Sequence, residues 1–176
     1  VSPGNPLKDA EGIAPLPVRF ASAQAAADGL PVRVTAIERE LGTRYTVDTL
    51  EALIGKFPDR NFIWLMGADN LLQFDRWKDW RKIATLVPIA VVARPGYDDA
   101  AHAATAMGWL RGFVRPASQA LDWATWRPPA LVLLQLPPDP TSATGIRAAD
   151  PDWHQKTVKS FNLSALRDGV TQQPLT

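Results

Sequence analysis

The 176-residue sequence contains no cysteine, which excludes disulfide staples and thiolate metal sites. That absence fits a reducing compartment, and the chain reads as cytoplasmic. Histidine is scarce as well, with only His102 and His154. They lie far apart without acidic companions at metal-ligand spacing, so each reads as a surface residue rather than a ligand or base. No apolar run approaches the roughly 20 residues that a membrane-spanning helix needs. The opening residues, Val1 to Pro6, lack the charged-then-apolar order of a secretion signal. The chain does not open on methionine, so its start is expected to be trimmed or misplaced. Neither charge dominates: 19 Lys and Arg against 18 Asp and Glu leave a net charge of +1, which gives no reason to expect a nucleic-acid surface. The phosphate loop G-x-x-x-x-G-K-S/T, the dinucleotide fingerprint G-x-G-x-x-G and the nucleophile elbow G-x-S-x-G are all missing.

What is present describes a soluble globular chain. Hydrophobic residues make up 46% and charged residues 21%, a balance that excludes disorder, and the length suits one ordinary domain with a proper core. Sixteen prolines punctuate the chain into short units. Seven tryptophans are expected to fill core, with a pocket for a flat ligand as the alternative.

Residues 1–16 read as a loop. Pro17 to Asp28 is Ala-rich and reads as a helix stopped by Gly29, and Val32 to Ala36 as a short strand. Thr46 suits an N-cap, with Asp48 in the first turn, for a helix through Phe57 whose Val47, Leu50, Leu53 and Ile54 share one apolar face. Asn61 to Met66 is a continuous apolar run, as expected of a strand buried on both faces. Asp75 to Leu86 reads as a helix, Pro88 to Ala93 as a second buried strand, Asp99 to Phe113 as a region holding a helix, and Leu131 to Leu136 as a further strand. Steady alternation of helix and strand implies crossover units. The expected fold is α/β, a single doubly wound and mostly parallel sheet. The tail after Arg147 carries no pattern that assigns it.

In open parallel sheets, ligands bind outside the carboxyl ends of the strands, and three segments put polar groups there. Gly67-Ala68-Asp69-Asn70 follows the first apolar run; Gly67 permits close backbone approach, and Asp69 offers a carboxylate to ribose hydroxyls. The bland alternative is a strand-end turn in which Asp69 caps a helix. Arg44-Tyr45-Thr46 stands at a helix N-terminus, where unpaired amides favour an anion, although a lone Thr there more often only caps. Thr141 to Arg147 (TSATGIR) follows the last strand. Its hydroxyls, with Arg147 three residues beyond Thr144, suit a polyphosphate, or an ordinary capped helix with an exposed Arg. Trp77 and Trp80 lie three apart on one predicted helical face, and both read first as core, second as a surface for stacking a base.

In order, these segments resemble nicotinate-nucleotide adenylyltransferase. Glu38 to Leu50 (ERELGTRYTVDTL) is similar to the family's E-x-x-R-x-G-x-S-Y-T-x-D-T-L, with Arg44 in place of the serine and imperfect spacing before the glycine. Gly67-Ala68-Asp69-Asn70, the Trp77 and Trp80 pair, Arg94-Pro95-Gly96 and the T-S-A-T-G-I-R variant of I-S-S-T-x-I-R follow. The resemblance implies a Rossmann-like nucleotidyltransferase fold over residues 1–147, with 148–176 as an unassigned C-terminal segment. It also implies transfer of AMP from ATP to nicotinate mononucleotide, with Mg²⁺, giving deamido-NAD and pyrophosphate in NAD biosynthesis.

Carried over residue by residue, Asp69 with Gly67 would hold the ATP ribose, and Ser142, Thr144 and Arg147 the ATP phosphates. Tyr45, Thr46 and Trp77 would frame the nicotinate end, and Lys8 would meet phosphate. Ala143 replaces a family serine. The family's opening G-x-F-D-P-x-H-x-G-H motif has no counterpart here, so no catalytic residue is identified. The first strand is expected to be missing, and the chain as given is expected to turn over little or nothing. Two other readings stand beside this one: a nicotinamide-nucleotide or pantetheine-phosphate adenylyltransferase of the same superfamily, and a non-catalytic nucleotide-binding or regulatory module. No nucleic-acid or membrane partner is expected, and homo-oligomerisation is left open.

Overall fold

The computed structural model describes residues 1–2, 14–93, 96, 98–137, 145, 148–150 and 161–175. The chain divides into two compact units, Val1–Arg44 with Thr141–Thr176, and Tyr45–Pro140. No helix among the described residues is long and apolar enough to cross a membrane.

The second unit holds a four-stranded sheet in the order β1-β2-β4-β3, parallel throughout. Its strands are β1 (Trp64–Gly67), β2 (Ile89–Val92), β3 (Val114–Arg115) and β4 (Leu131–Leu134). Ile89, Ala90 and Val91 are buried at the middle of the sheet, as the apolar run predicts. The expectation for β1 needs correcting. It forms the edge of the described sheet, and its Leu65 is 61% exposed rather than buried on both faces. β3 went unread because two residues carry no period.

Helix α3 (Thr46–Lys56) matches its expected extent, except that Tyr45 is the N-cap and Thr46 the first helical residue. The helix expected over Asp75 to Leu86 is broken. A 3-10 turn covers Phe74–Arg76, Trp77 is extended, Asp79 takes a left-handed conformation at φ 47, and only Trp80–Leu86 (α5) is α-helical. Trp77 and Trp80 therefore do not share a helical face. Between β1 and the 3-10 turn lies the short α4 (Ala68–Leu71). The region from 99 to 113 contains two short helices, α6 (Asp98–His102) and α7 (Met107–Leu110). Val47 and Leu50 of α3, Leu71 of α4, Phe74, Ile83 of α5, Ile89 and Leu131 join in one buried cluster. Side chains of this size each contribute about 1.5–3 kcal/mol when fully buried.

The first unit is built on α1 (Leu16–Ala26), which ends before Gly29, where φ of 71 favours glycine. Phe20 and Ala21 of α1 pack with Ala36, Leu166 and Leu175. The expected strand over Val32 to Ala36 does not form; this segment joins no ladder among the described residues. Its polar groups are met instead by the tail. Gly169 donates its amide to the Val34 carbonyl at 2.9 Å, and the Ala36 amide donates to Asp168 Oδ2 at 2.6 Å. The four-residue α2 (Glu38–Leu41) follows, closed by Gly42 in a left-handed cap. Arg39 Nη1 donates to the Leu175 carbonyl at 2.8 Å.

The tail folds on Asp168, which is 2% exposed. Oδ1 accepts from the amides of Val170 at 2.8 Å and Thr171 at 2.9 Å, and both oxygens accept from the Thr35 hydroxyl at 2.9 and 3.0 Å. Burial pushes the carboxyl pKa up, but the amides of Thr171, Ala36 and Val170 and the Thr35 hydroxyl outweigh it, and the net effect holds the pKa below the usual carboxylate value. Arg167 bridges Pro174 in antiparallel fashion, so Leu166 and Leu175 enter the core together.

Folding thus favours the ionised form of Asp168. Its contribution is full above the unfolded carboxylate pKa of about 3.9 and is lost as pH falls through the lower folded value. Asp168→Ala should destabilise the protein by about 1–3 kcal/mol near neutrality, because the buried donors lose their acceptor, and this difference should shrink below about pH 3.9. Urea unfolding of both proteins across pH checks it. A Cβ at position 169 would lie 2.4 Å from the Val34 carbonyl oxygen, so Gly169→Ala should lower stability by about 1–3 kcal/mol, read in the same way.

Candidate functional site

The carboxyl ends of the parallel strands point to the functional end of the second unit. Gly67 closes β1 and is the N-cap of α4, with extended torsions of φ −78 and ψ 159 that any residue could adopt. Asp69 falls in the first turn of α4 and is half-buried. A small crevice of about 30 Å³ is lined by the preceding residue, Ala68, with Ala93, His102 and Gln135. His102, an exposed residue as expected, thus stands on the wall of this crevice. A larger cavity of about 170 Å³ lies at the opposite, amino ends of the strands, between Phe62, Pro88 and Trp126. Size favours the second and sheet topology the first; topology decides, because Gly67 and Asp69 lie at the carboxyl ends.

The second set of residues surrounds the start of α3. Thr46 opens the helix, no side chain caps it, and Asp48 occupies its first turn. The first amides of any α-helix lack intrahelical partners and carry the positive end of its dipole. Across from them runs the extended segment at Trp77. Trp77 makes edge contacts with Phe74 at 5.4 Å and Trp64 at 5.9 Å between ring centroids. Its indole Nε1, like that of Trp64, is buried and meets no acceptor among the described residues.

The next residue, Lys78, reaches over to α3. Its Nζ donates to both oxygens of Asp48 at 2.9 Å and sits 5.1 Å from the centre of the Tyr45 ring. The hydrogen bond to Asp48 raises the ammonium pKa, with charge from Asp48 and Asp79 adding to it. Farther along, Lys82 of α5 pairs with Glu51 of α3 at 2.6 Å. Lys78, the neighbour of Trp77, thereby reaches Tyr45 and Asp48 at the start of α3. Among the described residues no three His, Asp or Glu side chains converge as a metal site.

Residues 1–149 match the cytidylyltransferase-like family. The chain is 54% identical over 175 residues to the probable nicotinate-nucleotide adenylyltransferase of Erythrobacter litoralis, covering 99% of this chain and 78% of that protein. This chain belongs to the nicotinate-nucleotide adenylyltransferase family. Relatives of the same name come from Gluconacetobacter diazotrophicus, 49% identical over 149 residues (85% of this chain and 69% of the relative), and from Parvibaculum lavamentivorans, 47% identical over 147 residues (84% and 73%).

Of the positions singled out by resemblance to this adenylyltransferase family, Tyr45, Thr46, Gly67, Asp69 and Trp77 are described. Lys8, the Arg94-Pro95 pair, Ser142, Thr144 and Arg147 lie outside the described residues. Sequence reasoning missed Lys78. Its only signal was its place beside Trp77, since its partner Asp48 lies thirty positions away.

Phe74 is fully buried and touches both Trp77 and Trp80. Phe74→Ala should cost about 3–5 kcal/mol, measured by denaturant unfolding. Loss of its edge contact should also shift the Trp77 fluorescence, seen by comparison with Trp77→Phe.

Proposed function

We propose that this protein transfers the adenylyl group of ATP to nicotinate mononucleotide, forming deamido-NAD and pyrophosphate in NAD biosynthesis. The observation that carries this reading is the 54% identity to a relative of that name along 99% of the chain. In the reaction a phosphate oxygen of nicotinate mononucleotide attacks the α-phosphorus of ATP. The bond from that phosphorus to the bridging oxygen breaks, and pyrophosphate leaves with the electron pair. Such a transfer needs alignment and charge stabilisation rather than a covalent enzyme intermediate.

On this reading Asp69, beside Gly67 at the end of β1, accepts hydrogen bonds from the ATP ribose. Its half-buried place in the first turn of α4 supports that role. Ser142, Thr144 and Arg147 hold the ATP phosphates, and Lys8 meets phosphate. The start of α3 at Tyr45 and Thr46, with the ring of Trp77, frames the nicotinate group. The extended backbone at Trp77 supports this, because it takes that ring out of the helical row it would share with Trp80. Mg²⁺ travels with ATP, held mainly by its phosphates.

Calorimetry should detect binding of nicotinate mononucleotide and Mg-ATP to this chain. Pyrophosphate release should be slight for the chain as given and should rise when a segment bearing the family's H-x-G-H motif is placed ahead of it. Binding of neither substrate would overturn the assignment. Brisk turnover by the chain alone would overturn the role given to those histidines. Trp77→Ala should weaken nicotinate mononucleotide about tenfold through lost stacking, leaving ATP affinity within about twofold, and titration of each ligand separately checks this.

A further inference from the structure

The acid-or-amide choice at the pyridine ring turns on charge, and the start of α3 carries an awkward one. Asp48 occupies the first turn of this helix, where its carboxylate suits the helix dipole but opposes any second anion brought to the same amides. Nicotinate mononucleotide brings such an anion in its ring carboxylate; the nicotinamide analogue brings a neutral amide. Lys78 meets both oxygens of Asp48 at 2.9 Å. The same ammonium lies 5.1 Å from the Tyr45 ring centre, and its residue directly follows Trp77.

We propose that Lys78 is a specificity-determining residue: by neutralising Asp48 across from Tyr45 and Trp77, it lets the start of α3 accept a pyridine carboxylate in preference to a carboxamide. The proposal rests on the assignment of this site to the nicotinate end of the acceptor. It needs no contact between Lys78 and the ligand, so Lys78 is a positioning residue that acts through the charge of Asp48.

Its consequences differ from those of a structural lysine. The side chains of the pair are 44% and 36% exposed, so Lys78→Met should fold normally, as a surface pair contributes little to stability. The variant leaves the Asp48 charge unbalanced. Affinity for nicotinate mononucleotide should then fall about tenfold, while affinity for the nicotinamide analogue changes by less than about twofold. Lys78→Arg should restore the preference, and so should adding Asp48→Asn to Lys78→Met, which removes the offending charge. The loss in the single variant should also diminish at high salt, since the exposed charges are screened.

Calorimetric titration of the two mononucleotides into the unaltered chain and the three variants, at low and high salt, tests this. Melting curves run alongside establish folding. A Lys78→Met protein that keeps the unaltered ratio of the two affinities would overturn the inference while leaving the site assignment standing. A double variant no better than Lys78→Met would overturn the route through Asp48. If the unaltered chain binds neither mononucleotide, the site assignment falls and this inference falls with it.

Discussion

The second unit depends on the burial of Phe74. This ring has no exposed surface and meets two tryptophans edge-on, Trp77 at 5.4 Å and Trp80 at 5.7 Å. Trp80 in turn meets Trp109 at 5.7 Å. Edge-to-face pairs at such distances each add about 0.5–1.5 kcal/mol beyond the area they bury. With Phe74 fixed, the chain must turn sharply between it and α5, and the left-handed Asp79 absorbs that turn. The extended conformation of Trp77 is the result. A continuous helix would have stacked Trp77 and Trp80 on one side; the break takes Trp77 out of that row and leaves Lys78 paired with Asp48 of α3.

How much of this was legible follows from the range of the forces involved. β2 and β4 could be read because a buried parallel strand is apolar along its whole length, and α3 because its apolar residues recur at helical spacing. The segment over Asp75 to Leu86 was misread as one helix because its composition permits one. Only the tertiary demand on Phe74 breaks it. Val32 to Ala36 was misread as a strand for a related reason. Its residues favour extension, but the Asp168 carboxylate and the Gly169 amide take the bonds that a neighbouring strand would have made. The tail was unreadable for the same cause, since its one organising residue acts across 132 positions. In the candidate site, Tyr45-Thr46, Gly67-Asp69 and Trp77 were visible as local motifs. The Lys78–Asp48 pair was not, because it exists only once α3 and the Trp77 segment lie side by side.

The two carboxylates show how environment sets the task of a charge. Asp168 is sealed from water, so its charge persists only because three amides and a hydroxyl surround it. It is a structural knot, and removing it leaves donors stranded. Asp48 is partly solvated and hydrogen-bonded to the ammonium of Lys78. Water can replace that partner at little expense to the fold.

That difference decides where each should be sought experimentally. A buried, fully bonded carboxylate shows itself in unfolding and in acid sensitivity, whatever the ligand. An exposed pair at a helix start is nearly silent in unfolding, yet it sets the sign of the local field just where the helix dipole is strongest. With the pair intact, the net charge of Asp48 and Lys78 is zero, and the dipole of α3 is left to act on whatever approaches. Remove the lysine, and a full negative charge outweighs the partial positive one of roughly half a unit. The field that would favour an anion then reverses, although the backbone has not moved.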